Sequence, residues 1–342
     1  MKIGLVGYQG SGKSTLFGWL TGVAPDPALS HTVQSAMAEV PDQRIDALCK
    51  IYHPKKVTLA SLELIDTPGL DPGHDGNAAR LSHLRESGCF VHVVDAHGDH
   101  DPTARLVAFD EDLLLADMEI VSRRVEKLRE SVKKPRPNRE QELADLKALE
   151  PLLETLEGGA PLTAVQMTPE QLRATRSFQL LTEKPRMVVF NVSEDETDVE
   201  RLISSVAAAC PAVALPVRLA AELAEMCPEE RHEFEQEMGV ISVDRGQLLR
   251  QIMDASGQMP FYTAGEKEVR AWPIRKGATA VEAADGIHSD LARGFVRAET
   301  MQCDDLFRLG SEREVKAANL MRREPRDYVV QDGDILLILA SV

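Results

Sequence analysis

The residues with the clearest chemical potential stand near the start of the chain, at positions 7–15, which read GYQGSGKST. Their spacing fits the phosphate-binding loop G-x-x-x-x-G-K-S/T, whose glycines let backbone amides close around phosphates where a helix begins. We expect Lys13 to reach the β- and γ-phosphates as the catalytic cation, and the Ser14 hydroxyl to bind Mg²⁺. The nucleotide-binding residues predicted in this loop are Gly10, Ser11, Gly12, Lys13, Ser14 and Thr15.

A second candidate segment, Asp66 to Gly69, reads DTPG and follows an apolar run. Asp66 can hold Mg²⁺ through a water molecule, and the amide of Gly69 can sense the γ-phosphate, which assigns this glycine to catalysis. Such tetrapeptides are common in turns, so the assignment depends on the phosphate loop upstream. The next residue is Leu70, where Ras-like proteins place a glutamine that orients water. Hydrolysis is therefore expected to be slow or to depend on another group.

Thr32 lies between the first predicted helix and the next strand, in the run SHTV. A threonine here could bind Mg²⁺ when a triphosphate orders the loop, as in GTPase switches. The alternative is an ordinary solvent-exposed loop threonine. The predicted metal ligands are Ser14, Thr32 and Asp66.

Base recognition is expected where the fourth predicted strand ends, at Asn191 and Glu194. GTPases carry Asn-Lys-x-Asp there, and the aspartate accepts both guanine donors. This chain has Val192 and Glu194 instead, and a carboxylate one methylene further out would not keep the same two bonds. Guanine specificity is therefore in doubt, and the Asn191 amide could still contact a purine edge. Leu219, after the fifth strand, occupies the final base-contacting loop, where backbone groups usually act.

The elements that must position these residues follow from hydrophobic patterning. Continuous apolar runs separated by helical stretches predict a parallel sheet covered on both faces, with a helix over residues 13–21. Long charged segments of helical period predict two antiparallel helices with a basic tip at residues 133–139, where prolines break the helix. The predicted strands are residues 2–7, 62–66, 90–95, 187–191, 212–217, 269–274, 295–300 and 334–339, and further helices are predicted at about 169–181 and 279–290.

These patterns predict an α/β chain with an inserted helical hairpin and a small α+β module at the end. The predicted boundaries are 1–108 and 184–258 for the two parts of the nucleotide domain, 109–183 for the hairpin and 259–342 for the module. The net charge of −16 argues against non-specific nucleic-acid binding, so no DNA partner is expected. No stretch is apolar enough to span a bilayer. Five cysteines without metal-ligand spacing predict reduced thiols and a cytoplasmic location.

The sequence resembles the YchF subfamily of Obg-like ATPases over nearly its whole length. The Asn191-x-x-Glu194 signature carries the resemblance, as do the C-terminal runs at 261–272, 294–298 and 328–334. The resemblance implies a P-loop GTPase-like domain, an inserted helical domain and a TGS-like β-grasp domain. It also implies Mg²⁺-dependent ATP hydrolysis, with GTP weaker, association with the ribosome or ribosomal RNA, and in some members a link to stress responses.

The chain departs from the pattern of that subfamily in both switch regions and in the phosphate loop. The subfamily loop reads Gly-x-Pro-Asn-Val-Gly-Lys-Ser, so an asparagine that could help bind a cation is absent at Gly10. The second switch of the subfamily reads Asp-Ile-Ala-Gly-Leu and is followed by a glycine-rich stretch. In this chain the corresponding residues 66–70 read DTPGL, and residues 71–76, DPGHDG, follow them. His31 replaces a cysteine in the first switch, and His100 is the candidate for a subfamily histidine in a shortened segment.

Four functions remain open from the sequence. The first is an ATPase switch. The second is a nucleotide-gated ribosome-binding protein with little or no turnover, which would use the basic tip and the C-terminal module. A tip that only faces solvent is the simpler explanation of those charges. A conventional GTPase is disfavoured by Val192 and Glu194, and a small-molecule kinase is disfavoured by the Asp66–Gly69 segment.

Overall fold

A computed structural model describes residues 1–26, 28, 32–71, 77–98, 100–194, 196, 198–206, 210–238 and 243–341. The chain divides into two compact units, one of residues 1–36 with 64–242 and one of residues 37–63 with 243–342. Placement of residues 37–63 with the C-terminal region is a feature that the sequence did not indicate. The four-part boundaries proposed from the sequence stay a prediction.

The elements are numbered in chain order. The strands are β1 (Lys2–Val6), β2 (Gln34–Val40), β3 (Lys56–Thr58), β4 (Ala60–Asp66), β5 (Cys89–Ala96), β6 (Arg186–Val192), β7 (Ala212–Leu215), β8 (Gln258–Ala264), β9 (Glu268–Arg275), β10 (Phe295–Gln302), β11 (Arg322–Glu324) and β12 (Asp334–Ala340). The helices are α1 (Lys13–Thr21), α2 (Gln43–Tyr52), α3 (Asn77–Arg85), α4 (Pro102–Ser131), α5 (Arg139–Glu157), α6 (Pro169–Thr175), α7 (Val199–Ser204), α8 (Val217–Glu225), α9 (Pro228–Met238), α10 (Arg245–Ala255), α11 (Ala280–Ile287), α12 (Ser289–Arg293), α13 (Cys303–Leu309) and α14 (Glu312–Ala317), with a 3-10 turn at Leu162–Ala164.

The first sheet has the order β2-β4-β1-β5-β6-β7, and β1, β5, β6 and β7 pair in parallel. β1 and β5 are buried along almost their whole length, which is why they read as continuous apolar runs. The predicted α/β fold of the P-loop type is confirmed. Most predicted strand ends differ from the structure by one or two residues. The fifth predicted strand was too long: β7 ends at Leu215, and α8 begins at Val217, whose amide donates to Asn191 rather than to a neighbouring strand.

The predicted hairpin is formed by α4 and α5, which pack along a stripe of buried leucine and valine side chains. α4 begins earlier than the pattern suggested, because Asp101 caps it through the amide of Thr103 and Pro102 fits the first helical position. The third helical piece is shorter than predicted and ends at Thr175. Within the described residues no helix is both long and apolar enough to cross a membrane.

The second unit holds the other sheet, with the order β11-β10-β12-β8-β9-β3. β8 and β12 pair in parallel, as do β3 and β9, whereas β8 with β9 and β10 with β12 are antiparallel. Apolar side chains from β8, β12 and α11 form its core, including Phe261, Ala283 and Leu336. The unit is therefore a mixed α+β module, as the alternation of strands and helices indicated.

Candidate functional site

The loop between β1 and α1 needs glycine at two positions for steric reasons. Gly7 has a φ of 142°, and a β-carbon there would lie 2.3 Å from the carbonyl oxygen of Val93. Gly12 has a φ of 97°, and a β-carbon there would lie 2.5 Å from the Nδ2 atom of Asn191. Both backbone conformations disfavour other residues. The loop therefore passes as close to β5 and β6 as the backbone allows.

The loop presents unused polar groups where phosphates would bind. The residue that caps the start of α1 is Gly12, which has no side chain to bond the first amides of the helix, so these amides can bind an anion. The buried hydroxyl of Ser11 has no hydrogen-bond partner among the described residues. These groups fit the anion-binding role predicted for residues 10–15.

The side chain of Lys13 is buried and donates a hydrogen bond of 2.7 Å to the carbonyl oxygen of Tyr8. Burial lowers the pKa of Lys13 to about 8, although the carboxylate of Asp66 opposes this shift. The guanidinium of Arg80 lowers the pKa further. A buried ammonium group that bonds a backbone carbonyl is well placed to pair with a polyphosphate.

Ser14 and Asp66, two of the predicted metal ligands, meet directly. The hydroxyl of Ser14 donates a hydrogen bond of 2.6 Å to Oδ2 of Asp66, while the buried Oδ1 atom has no partner among the described residues. Burial raises the pKa of Asp66. The next residue, Thr67, is tied to the carbonyl of Leu5 at 2.6 Å, which holds this strand end against β1. A hydroxyl and an unsatisfied carboxylate oxygen are donors that suit Mg²⁺.

The third predicted ligand, Thr32, is exposed just before β2. Residues 29–31, including His31, lie outside the described residues, as do residues 72–76 of the second switch. The metal role of Thr32 therefore stays a prediction. His100 is exposed beside the start of α4.

Leu70 joins the second switch to the phosphate loop through its backbone. Its amide donates to the carbonyl of Gly7 at 3.1 Å, and its carbonyl accepts from the amide of Gln9 at 2.9 Å. Its side chain is buried in a core cluster with Val6 and Tyr8. An apolar side chain facing the core cannot orient an attacking water, in agreement with the missing Ras-type glutamine.

Arg80, on α3, is a site residue that the sequence analysis missed. Its Nη1 atom donates to the carbonyl of Gly69 at 2.7 Å and to Oδ2 of Asp71 at 2.6 Å. A single arginine on a helix carries no spacing signal. Only the fold shows that it lies at the end of the Asp66–Gly69 segment.

Asn191 braces the phosphate loop against α8. Its Nδ2 atom donates to the carbonyl of Ser11 at 3.1 Å, and its Oδ1 atom accepts from the amide of Val217 at 3.1 Å. Both the nitrogen and the oxygen of this side-chain amide have backbone partners here. Its expected contact with a purine stays a prediction. Glu194 is exposed, whereas Val192 is buried.

Leu219 lies in the first turn of α8 and not in a loop, and its side chain is buried. The helix starts early because Val217, two residues before it, is the residue whose amide Asn191 holds. Any contact of Leu219 with a base would be made by its backbone. Its nucleotide-binding role stays a prediction.

Two family models and several known proteins match this chain. The model YchF-GTPase_C, described as "Protein of unknown function (DUF933)", matches residues 259–341, and the model MMR_HSR1, described as "50S ribosome-binding GTPase", matches residues 2–131. The chain is 33% identical to the Ribosome-binding ATPase YchF of Bacillus subtilis over 98% of each chain. It is 35% identical to Obg-like ATPase 1 of Oryza sativa subsp. japonica, over 100% of this chain and 92% of that protein. The structure of the Schizosaccharomyces pombe YchF GTPase matches with a TM-score of 0.85 at 28% identity, covering 99% of this chain and 97% of that chain.

Proposed function

Because this chain belongs to the family of YchF and Obg-like ATPases, we propose that it is a nucleotide-dependent switch that binds ATP with Mg²⁺ and hydrolyses it slowly to ADP and phosphate. The observation that carries this proposal is the bond between Ser14 and Asp66 beside the buried Lys13. A pair of side chains suited to Mg²⁺ and a cation suited to phosphates, together in one site, are parts that phosphoryl transfer requires.

The residues would act mainly by position and charge. Lys13 would exchange the carbonyl of Tyr8 for the β- and γ-phosphates, and the amides of the loop would surround them. Ser14 and Asp66 would hold Mg²⁺, which neutralises charge on the phosphate oxygens when bound. Slow turnover is expected because the residue after Gly69 turns its side chain into the core.

The preference for adenine rests on the end of β6. Val192 is buried where GTPases carry a lysine, so no cation stands at this position. Glu194 is exposed and carries its carboxylate one methylene further from the backbone than the aspartate of GTPases. Such a carboxylate does not reproduce the paired bonds to guanine, which removes the main reason for GTP selectivity.

We further propose that the partner of the switch is the ribosome, because the curated relative in Bacillus subtilis is named a ribosome-binding ATPase. The chain as a whole is acidic, so contact with ribosomal RNA would need a local basic surface. The turn between α4 and α5, taken with the first residue of α5, is exposed and carries four cations. Lys133 already pairs with Glu130, which reduces the charge available there. The cations of this turn are Lys133, Lys134, Arg136 and Arg139.

Two measurements on the purified full chain test the proposal. Titration with ATP and GTP in the presence of Mg²⁺ should show tighter ATP binding, and phosphate release should be slow but above that of a Lys13→Ala control. Tighter GTP binding would refute the assignment of Glu194. Absence of phosphate release, with and without ribosomes, would leave the alternative of a ribosome-binding nucleotide sensor without turnover. Sedimentation with ribosomes in ATP and in ADP tests the partner.

A further inference from the structure

The structure brings one arginine of α3 to the end of the second switch. Arg80 has about a quarter of its side chain exposed, and it bonds both the carbonyl of Gly69 and the carboxylate of Asp71. We propose that Arg80 is a positioning residue that lets the site distinguish a nucleoside triphosphate from a diphosphate. This inference rests on the proposed nucleotide-binding function and assigns a regulatory contact within that site.

The peptide group between Gly69 and Leu70 is held at both ends. The guanidinium of Arg80 donates to the carbonyl oxygen of Gly69 at 2.7 Å. The N–H of Leu70 donates to the carbonyl of Gly7 at 3.1 Å. The buried side chain of Leu70 anchors the same segment in the core. These contacts fix the peptide group that follows Gly69, so they set where Gly69 lies relative to the phosphate loop.

Gly69 lies against the group expected to meet the outer phosphates. A β-carbon at Gly69 would be 2.8 Å from Nζ of Lys13 and 2.7 Å from the amide nitrogen of Gln9. Gly69 is thus next to Lys13, the group expected to meet the terminal phosphate of a triphosphate. A diphosphate is one phosphate shorter, so the contacts of Arg80 should affect its binding little.

The charge of Arg80 also reaches the phosphate position. Burial lowers the pKa of Lys13 most, and the carboxylate of Asp66 raises it. The guanidinium of Arg80 lowers it further, so the charge of Arg80 is felt at Lys13. Asp71 offsets part of the positive charge of Arg80 through their ion pair. A third phosphate brings negative charge close to Lys13, and a nearby guanidinium favours that charge even without touching it.

The test compares the affinities of the full chain for the non-hydrolysable triphosphate AMPPNP and for ADP. Arg80→Gln should weaken AMPPNP binding about tenfold, the effect of losing one charged hydrogen bond, while ADP affinity stays unchanged. Arg80→Lys keeps a cation but has a single donor nitrogen in place of the planar guanidinium, so its loss should be intermediate. Arg123→Gln is the matched control, because Arg123 is an exposed α4 residue paired with Glu119. It should alter neither affinity.

Equal losses for AMPPNP and ADP, or no loss for either, would overturn the positioning role. If the unaltered chain bound neither nucleotide, the proposed function itself would be overturned. The two failures therefore give different results. Thermal unfolding of each variant reports whether it folds. If Arg80→Gln does not fold, the ratio of AMPPNP to ADP affinity in Arg80→Lys decides the question.

Discussion

The hydroxyl of Tyr8 donates a hydrogen bond of 3.0 Å to Oδ2 of Asp112, which joins the phosphate loop to the first helix of the hairpin. The ring of Tyr8 is buried and meets Phe109 edge-on, with ring centroids 5.6 Å apart. Burial and the neighbouring carboxylate of Asp112 raise the pKa of Tyr8, so its hydroxyl remains a donor at neutral pH. The loop is therefore anchored by α4 as well as by the sheet.

The bond between Tyr8 and Asp112 should contribute measurably to stability. Tyr8→Phe keeps the ring but removes the donor, and we expect the free energy of unfolding to fall by about 1 kcal/mol. Asp112→Asn and the double variant complete a cycle measured by urea unfolding. Effects of the two changes that simply add would contradict a direct interaction.

The charge of Lys13 should make nucleotide affinity depend on pH. Its pKa of about 8 in the free protein means that the side chain is charged at pH 7 and largely neutral at pH 9.5. Pairing with phosphates favours the charged form, so binding above pH 8 requires proton uptake. ATP affinity should then fall by up to about tenfold per pH unit above 8. Calorimetric titration at several pH values checks this, and a constant affinity from pH 8 to 9.5 would refute it.

Glu194 should control the choice between ATP and GTP. Glu194→Asp shortens the side chain to that of GTPases, and we expect the ratio of GTP to ATP affinity to rise by about tenfold, the worth of one well-placed hydrogen bond. Fluorescence titration with both nucleotides measures this ratio. Glu200→Asp, an exposed change on α7, is the matched control. An unchanged ratio in Glu194→Asp would mean that other groups select the base.

Asp117 should be important for stability and not for nucleotide binding. It is fully buried on α4 and accepts hydrogen bonds from Arg85 at 2.9 Å and from the amide and hydroxyl of Thr182 at 2.7 and 2.9 Å. Asp117→Asn leaves Arg85 without its ionic partner, and the free energy of unfolding should fall by about 3 kcal/mol.

Urea unfolding of Asp117→Asn measures that loss, with Glu119→Gln as the control on the same helix. The ion pair between Glu119 and Arg123 is exposed, so its removal should cost less than about 1 kcal/mol. If both variants lost a similar free energy of unfolding, the buried ion pair of Asp117 would be no more stabilising than an exposed one. ATP affinity of the folded variants should be unchanged.

Local pattern in the sequence determined much of the fold and the phosphate site. The glycine spacing around Lys13 works through backbone conformation within a few residues, so it can be recognised without the fold. The same holds for apolar runs such as β5 and for the helical period of α4, because burial imposes each pattern on its own segment. Ser14 and Asp66 were also expected to lie close together, because both were assigned to the same Mg²⁺ ion.

Tertiary structure alone decided which distant groups meet. Arg80 donates to the carbonyl of Gly69. The side-chain amide of Asn191 bonds the backbone of both Ser11 and Val217. Neither contact has a sequence signal, because a carbonyl is present at every residue and only chain packing selects one as a partner. Residues 37–63 joined the C-terminal unit for the same reason, since strand β3 finds its partner in β9, far along the chain.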